Sequence, residues 1–134
     1  MTKTLTHFIA FTFIAVTAVS CQQSIEKQLT GTWKVTDVQT NFDETKVTPE
    51  MLRQVVDMQK KTYFRILNDT TMIIISNNLT HEARWHFNKE TSEIIYSFTG
   101  MRNMSNTLGK YEGNSIINKS TTPLGVIITT YEKE

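Results

Sequence analysis

His81-Glu82-Ala83-Arg84-Trp85-His86 brings two imidazoles and a carboxylate together, the materials of a metal-assisted hydrolase. That chemistry needs histidines four apart on one helical face, with the glutamate as base. Here they stand five apart, in a stretch that alternates like a strand, and odd spacing along a strand sends side chains to opposite faces. The alternation points Ala83, Trp85 and Phe87 inward and Glu82, Arg84 and His86 outward. By the same parity His81 points inward near the strand end, either as a capped strand-end histidine or as a ligand contact. Glu90 and Glu93 flank a turn, whereas paired-carboxylate chemistry needs both in a cleft. Gly100 and Gly109 do not make a phosphate loop. Beyond His7 the only imidazoles are His81 and His86, and Cys21 is the only thiol, poor material for Ser-His or Cys-His catalysis. The expectation is a protein that is not an enzyme and carries no catalytic residue, metal or cofactor.

The aromatic residues offer more. Trp85, Phe87, Tyr96 and Phe98 fall on the inward phases of two adjacent strands, and Ile94 shares the second phase. Such a set either fills a core or lines a cavity, and sequence reads the two alike. Tyr96 favours a cavity, because a buried phenol needs a hydrogen-bond partner. Arg102 lies just past the second strand, where it could meet an acidic head group or simply face solvent. Met101 and Met104 beside it could adapt to different apolar shapes. The candidate ligand-lining residues are therefore His81, Trp85, Phe87, Tyr96, Phe98 and Arg102.

These residues must be held by strands. Thr30 to Thr40 is rich in Thr and Val, with Trp33 and Val35 on one face. Thr48 to Thr62 reads as a helix: Thr48 can cap it, Pro49 suits its first position and Lys60-Lys61 its C-terminal end. Met51, Leu52, Val55, Val56 and Met58 form an apolar stripe that suits packing, or else a membrane surface. Strand patterns follow over residues 63–67, 71–76, 80–88, 92–99, 107–112, 115–119 and 124–133, mostly joined by tight turns. Gly113-Asn114 suits a type II′ turn by its leading glycine. The fold class is thus all-β: an eight-stranded antiparallel up-and-down barrel with one α-helix between strands 1 and 2. A β-sandwich is the competing architecture. Closure favours the barrel because it removes unpaired edges.

The first 20 of the 134 residues stand apart. Phe8 to Val19 is a charge-free run of twelve, too short for the ~20 residues of a membrane-spanning helix and right for the core of a signal peptide. It leads into Ala18-Val19-Ser20-Cys21, which resembles the lipobox of bacterial lipoproteins, with Ala18 where leucine is usual. The resemblance implies cleavage before Cys21 and lipid attachment to its sulfur. An ordinary signal peptide or an N-terminal anchor helix is the alternative. Residues 1–20 are expected to be a lipoprotein signal peptide, 21–28 a tether and 29–134 the barrel. Gln22 after the cysteine resembles outer-membrane sorting. Loss of Lys3 with the signal takes the 14 Lys+Arg to 13, balancing 13 Asp+Glu. A nucleic-acid partner is not expected, since no basic face exists beyond Lys60-Lys61.

Leu29-Thr30-Gly31-Thr32-Trp33 carries the Gly-x-Trp signature that opens the first strand of lipocalins. With one lid-like helix and seven further strands, the chain resembles small lipocalin-like lipoproteins of Bacteroidota, within the calycin class of barrels. The resemblance implies that Trp33 plugs the closed end, with Gly31 beside it. It implies that Lys133, in Tyr131-Glu132-Lys133, stands where a late arginine would cover the ring. The Thr-Asp-Tyr motif of true lipocalins is absent. The expected function is membrane-anchored binding of a small, mainly apolar ligand in the bacterial envelope. The alternative is an envelope interaction or assembly module with a filled barrel, favoured if outward Ile95 and Ile127 form an apolar patch.

Overall fold

A computed structural model describes residues 23–101 and 103–134. The predicted signal peptide, Cys21 and Arg102 lie outside the described residues. The order is α1 (Ile25–Leu29), β1 (Gly31–Phe42), α2 (Pro49–Lys60), β2 (Tyr63–Ile66), β3 (Thr71–Ser76), β4 (Leu79–Asn88), β5 (Glu93–Phe98), β6 (Asn106–Glu112), β7 (Ser115–Thr122) and β8 (Gly125–Lys133). Each strand pairs antiparallel with the next, and β8 returns to β1. The result is a closed eight-stranded meander barrel, lipocalin-like, with α2 between strands 1 and 2.

Closure runs the length of β1, from Trp33 opposite Lys133 to Phe42 opposite Gly125. One residue, Thr36, is extra in β1, between the Val35 and Asp37 pairings. Leu108 is likewise extra in β6, between the partners of Ile94 and Ile95. Such bulges bend strands and help a sheet curl shut. The turns between neighbours are tight. Asn77 and Asn78 both have positive φ, as do Gly113 and Asn114. Two successive positive values make a type I′ turn, so the expected II′ geometry at Gly113-Asn114 is corrected. The β2–β3 connection is longer than a two-residue turn. Asn68 shapes it by accepting hydrogen bonds from the backbone N–H groups of Thr70 and Thr71.

The chain enters the barrel at the end where β1 starts, and that end is sealed by aromatic rings. Trp33 is stacked on Phe64, with centroids 6.2 Å apart, and meets Tyr111 edge-on at 6.1 Å. Phe64 in turn meets Tyr131 at 5.0 Å. The indole N–H of Trp33 donates to the Leu29 carbonyl at 2.8 Å, which fastens α1 under the barrel. The stretch expected as a short tether with about one helical turn forms α1, with Leu29 in the core and Ile25 packed against it. Gly31 has φ +140°, and a Cβ there would lie 2.8 Å from the Lys133 side chain. Only glycine lets the Lys133 stem cross so close. The ammonium of Lys133 donates to the Gln28 and Thr30 carbonyls at 2.8 and 3.2 Å. It therefore binds the C-terminal carbonyls of α1, a favourable partner for that end of a helix.

The opposite end carries α2. Thr48 caps it by accepting from the Met51 N–H, and Pro49 occupies its first turn. None of its residues is fully buried. Leu52, Val55, Val56 and Gln59 are half-buried, whereas Met51 and Met58 of the predicted stripe are exposed. Gln59 reaches Thr129 of β8 and Thr62 reaches Ser76 of β3, both at 3.4 Å, so the helix end spans from one wall to another.

Replacing Trp33, which is 1% exposed, by alanine should destabilise the domain by ~3–5 kcal/mol. Chemical denaturation reads this directly, and a loss under about 1 kcal/mol would contradict the plug.

Candidate functional site

The two halves of the barrel interior differ. Towards the plug, Phe64, Ile66, Met72, Ala83, Trp85, Ile94 and Ile116 form a buried apolar cluster. Trp85 belongs here: its indole N–H donates to the Asn68 carbonyl at 2.8 Å, tying β4 to the β2–β3 connection. Phe87, Tyr96 and Phe98 pack against the same cluster, Phe87 one inward step nearer the sealed end. Of the six sequence candidates, Trp85 is thus in the buried cluster, Phe87, Tyr96 and Phe98 border it, and Arg102 lies outside the described residues.

His81, Tyr96 and Phe98 lie together towards the α2 end. The His81 and Phe98 rings meet edge-on at 5.8 Å, and those of Tyr96 and Phe98 at 5.4 Å. The strand pairing produces this, because Ala83 opposes Phe98 and Trp85 opposes Tyr96. His81 is exposed at the rim, with its ring turned to Phe98. A depression of about 640 Å³ opens there, lined by Thr80, His81, Glu82, Phe98, Thr99 and Met101. A second hollow of about 470 Å³ lies under the start of α2, lined by Thr40, Asn41, Phe42, Glu44, Val47, Thr48, Pro49 and Leu52.

The upper interior is also more polar than the lower. Register with Tyr131 places Asn118, Thr129 and Ile127 on the inward face of β7 and β8. Ile127 is buried, not outward, so the predicted patch with Ile95 does not form. Consecutive Val126, Ile127, Ile128, Thr129 and Thr130 are all β-branched and show no alternation. Only their tertiary partners select the face. Asn118 donates to the Leu108 carbonyl at 2.8 Å, across the β6 bulge.

Tyr131 was not among the sequence candidates, although it lies in the Tyr-x-Lys ending of β8. The signal was available in its parity with Trp33, through the β1–β8 pairing. Its ring is part of the plug, and the residue is 6% exposed. Burial pushes its phenol up to about 12, and the nearby Tyr96 phenol adds to the rise. Burial raises Tyr96 too. Neither hydroxyl makes a hydrogen bond among the described residues. Every side-chain nitrogen or oxygen sealed from solvent in a non-exposed described residue does have a partner.

Large exposed apolar residues gather around the same end. Leu79 stands at the β3–β4 turn, Met101 and Met104 follow β5, Leu124 precedes β8, and Met51 and Met58 are on α2. Among the described residues only Leu67 is comparably exposed elsewhere.

The raised phenol has a consequence for stability. An unfolded tyrosine ionises near 10, whereas Tyr131 holds its proton to about 12 in the folded chain. Its contribution is complete below pH 10 and is lost as pH rises through 12. The wild type should lose about 2 kcal/mol more than Tyr131→Phe between pH 10 and 12. Denaturant unfolding at both pH values measures the difference, and parallel losses would contradict the burial.

The chain matches no family model, no curated protein and no solved structure. The lipocalin-like assignment is one of fold, resting on the closed eight-stranded meander and the helix between its first two strands.

Proposed function

We propose that this protein is a lipid-anchored envelope lipoprotein that holds a small, mainly apolar ligand in the α2 half of its barrel. The observation that carries the reading is the asymmetry of the interior. One end is a buried aromatic plug, and the other opens beside His81 and Phe98 in a depression of about 640 Å³ and under the start of α2 in a hollow of about 470 Å³. Ligand sites combine apolar walls with a few polar groups that fix orientation. The exposed methionines and leucines at this end suit passage of an apolar molecule.

The anchor side of the reading comes from the resemblance of Ala18-Val19-Ser20-Cys21 to a lipobox, and Gln22 resembles outer-membrane sorting. Gln23 accepts a hydrogen bond from the Gln28 side chain, beside the sealed end. A lipid on Cys21 would hold the plug towards the membrane and leave the α2 end facing away. The lipocalin-like lipoproteins of Bacteroidota supply the analogy for the whole arrangement.

A second reading draws on the exposed apolar rim. Met51, Met58, Leu79, Met101, Met104 and Leu124 could meet another envelope protein, with the barrel serving as a rigid platform.

Diphenylhexatriene, which fluoresces only in apolar surroundings, should bind the wild type saturably and one-to-one. Phe98→Ala should change that affinity several-fold while costing less than the ~3–5 kcal/mol of a fully buried phenylalanine. Absence of saturable binding would favour the platform reading. Cys21→Ala should move the protein from the membrane to the soluble fraction with its circular dichroism unchanged. A variant still retained in membranes would contradict the anchor.

A further inference from the structure

We infer that the ligand enters and leaves through the side of the barrel, by a slit between β6 and β7 that the Asn118 side chain latches. This rests on the ligand-binding reading above and goes beyond it by naming the route and its latch.

β6 and β7 are 7 and 8 residues long, yet they pair only as Lys110 with Ile117, Tyr111 with Ile116 and Glu112 with Ser115. On its other side β7 pairs with β8 along its whole length, from Ser115 to Thr122. The cause lies in β6. Its extra residue, Leu108, bends the strand just above the last pair. Gly109 is the pivot, because a Cβ there would lie 2.8 Å from the Ile117 carbonyl oxygen. The two backbones meet at that point and part beyond it. Above it a side chain replaces the ladder: the Asn118 amide donates to the Leu108 carbonyl at 2.8 Å.

Burial locates the opening. Asn106, opposite Tyr96, and Ser120, opposite Ile127, are on the inward phases of β6 and β7, yet both are exposed. At the same heights Tyr96 is half-buried and Ile127 is buried. The exposure therefore belongs to the two strands that part, not to the mouth of the barrel as a whole. The outer wall is hollowed at the same place, by about 290 Å³ lined in part by Thr107, Gly109, Ile117 and Asn118. Exposed Met104 and Leu124 stand just beyond the upper ends of β6 and β7, so the slit reaches the rim between two apolar side chains. Widening it costs one side-chain hydrogen bond, whereas lifting α2 also exposes half-buried Leu52, Val55 and Val56.

Bound diphenylhexatriene accepts energy from the tryptophans, so its departure into excess phosphatidylcholine vesicles can be timed by the return of their emission. Ser120→Phe and Asn106→Phe narrow the slit from exposed positions. They should slow departure roughly fivefold or more and leave affinity within about twofold, because a constriction on the route slows entry and exit alike. Asn118→Ala removes the latch and should speed departure, and it serves as the second test should a phenylalanine variant fail to fold. Gln59→Ala, which frees α2 from Thr129, should leave the rate unchanged. Unchanged rates in the slit variants, or faster departure from Gln59→Ala alone, overturn the lateral route while leaving ligand binding in place. Failure of the wild type to bind the probe saturably overturns the ligand-binding reading as well.

Discussion

The hydrogen bond from the Trp33 indole to the Leu29 carbonyl joins everything that closes one end of this barrel. An indole buried among rings must place its N–H, and the C-terminal carbonyls of a short helix are natural acceptors. The bond brings α1 under the barrel, and α1 brings its remaining carbonyls to the Lys133 ammonium. Lys133 can reach them only because Gly31 leaves room for its stem. Phe64 and Tyr111 then pack on the indole from two other strands, and Tyr131 packs on Phe64 from a third. First strand, last strand and N-terminal helix are fastened at one place.

With one end fastened by buried rings, the other is free to be less tightly packed. α2 has caps and good helical chemistry but no fully buried side chain, and its polar ties are two 3.4 Å hydrogen bonds. Segments with few buried apolar contacts are the ones that open at lowest free energy. A helix held this way can open while the plug keeps the strand register. The division of labour runs along the barrel axis. Structure-determining contacts lie at the end where β1 starts, and the adaptable residues, including four exposed methionines, lie at the far end.

Much of this was legible from residue types. Alternation in β4 and β5 assigned Trp85, Phe87, Tyr96 and Phe98 inward, and Thr48-Pro49 marked the start of α2. The failures have physical causes. Alternation assigns Trp85 to the interior but does not say whether an inward ring fills the core or lines a cavity. Its hydrogen bond to Asn68 comes from a loop, whose position no periodicity encodes. The run Val126 to Thr130 is β-branched on both phases, so Ile127 could be assigned only through Tyr131. Lys133 was expected over the Trp33 ring, but its ammonium has better acceptors in the α1 carbonyls, and α1 itself is too short to give a helical pattern. Cys21 and Arg102 lie outside the described residues, and their roles rest on sequence alone.

The central claim is the proposal that the α2 half of the barrel holds a small, mainly apolar molecule. Native mass spectrometry of the full-length protein, extracted from its own membrane in mild detergent, tests it most directly. The account predicts a population heavier than the lipidated chain by one small molecule. Tandem dissociation should release that molecule as a small, mainly apolar species. A spectrum containing only the lipidated chain, from protein that still unfolds cooperatively, would contradict it.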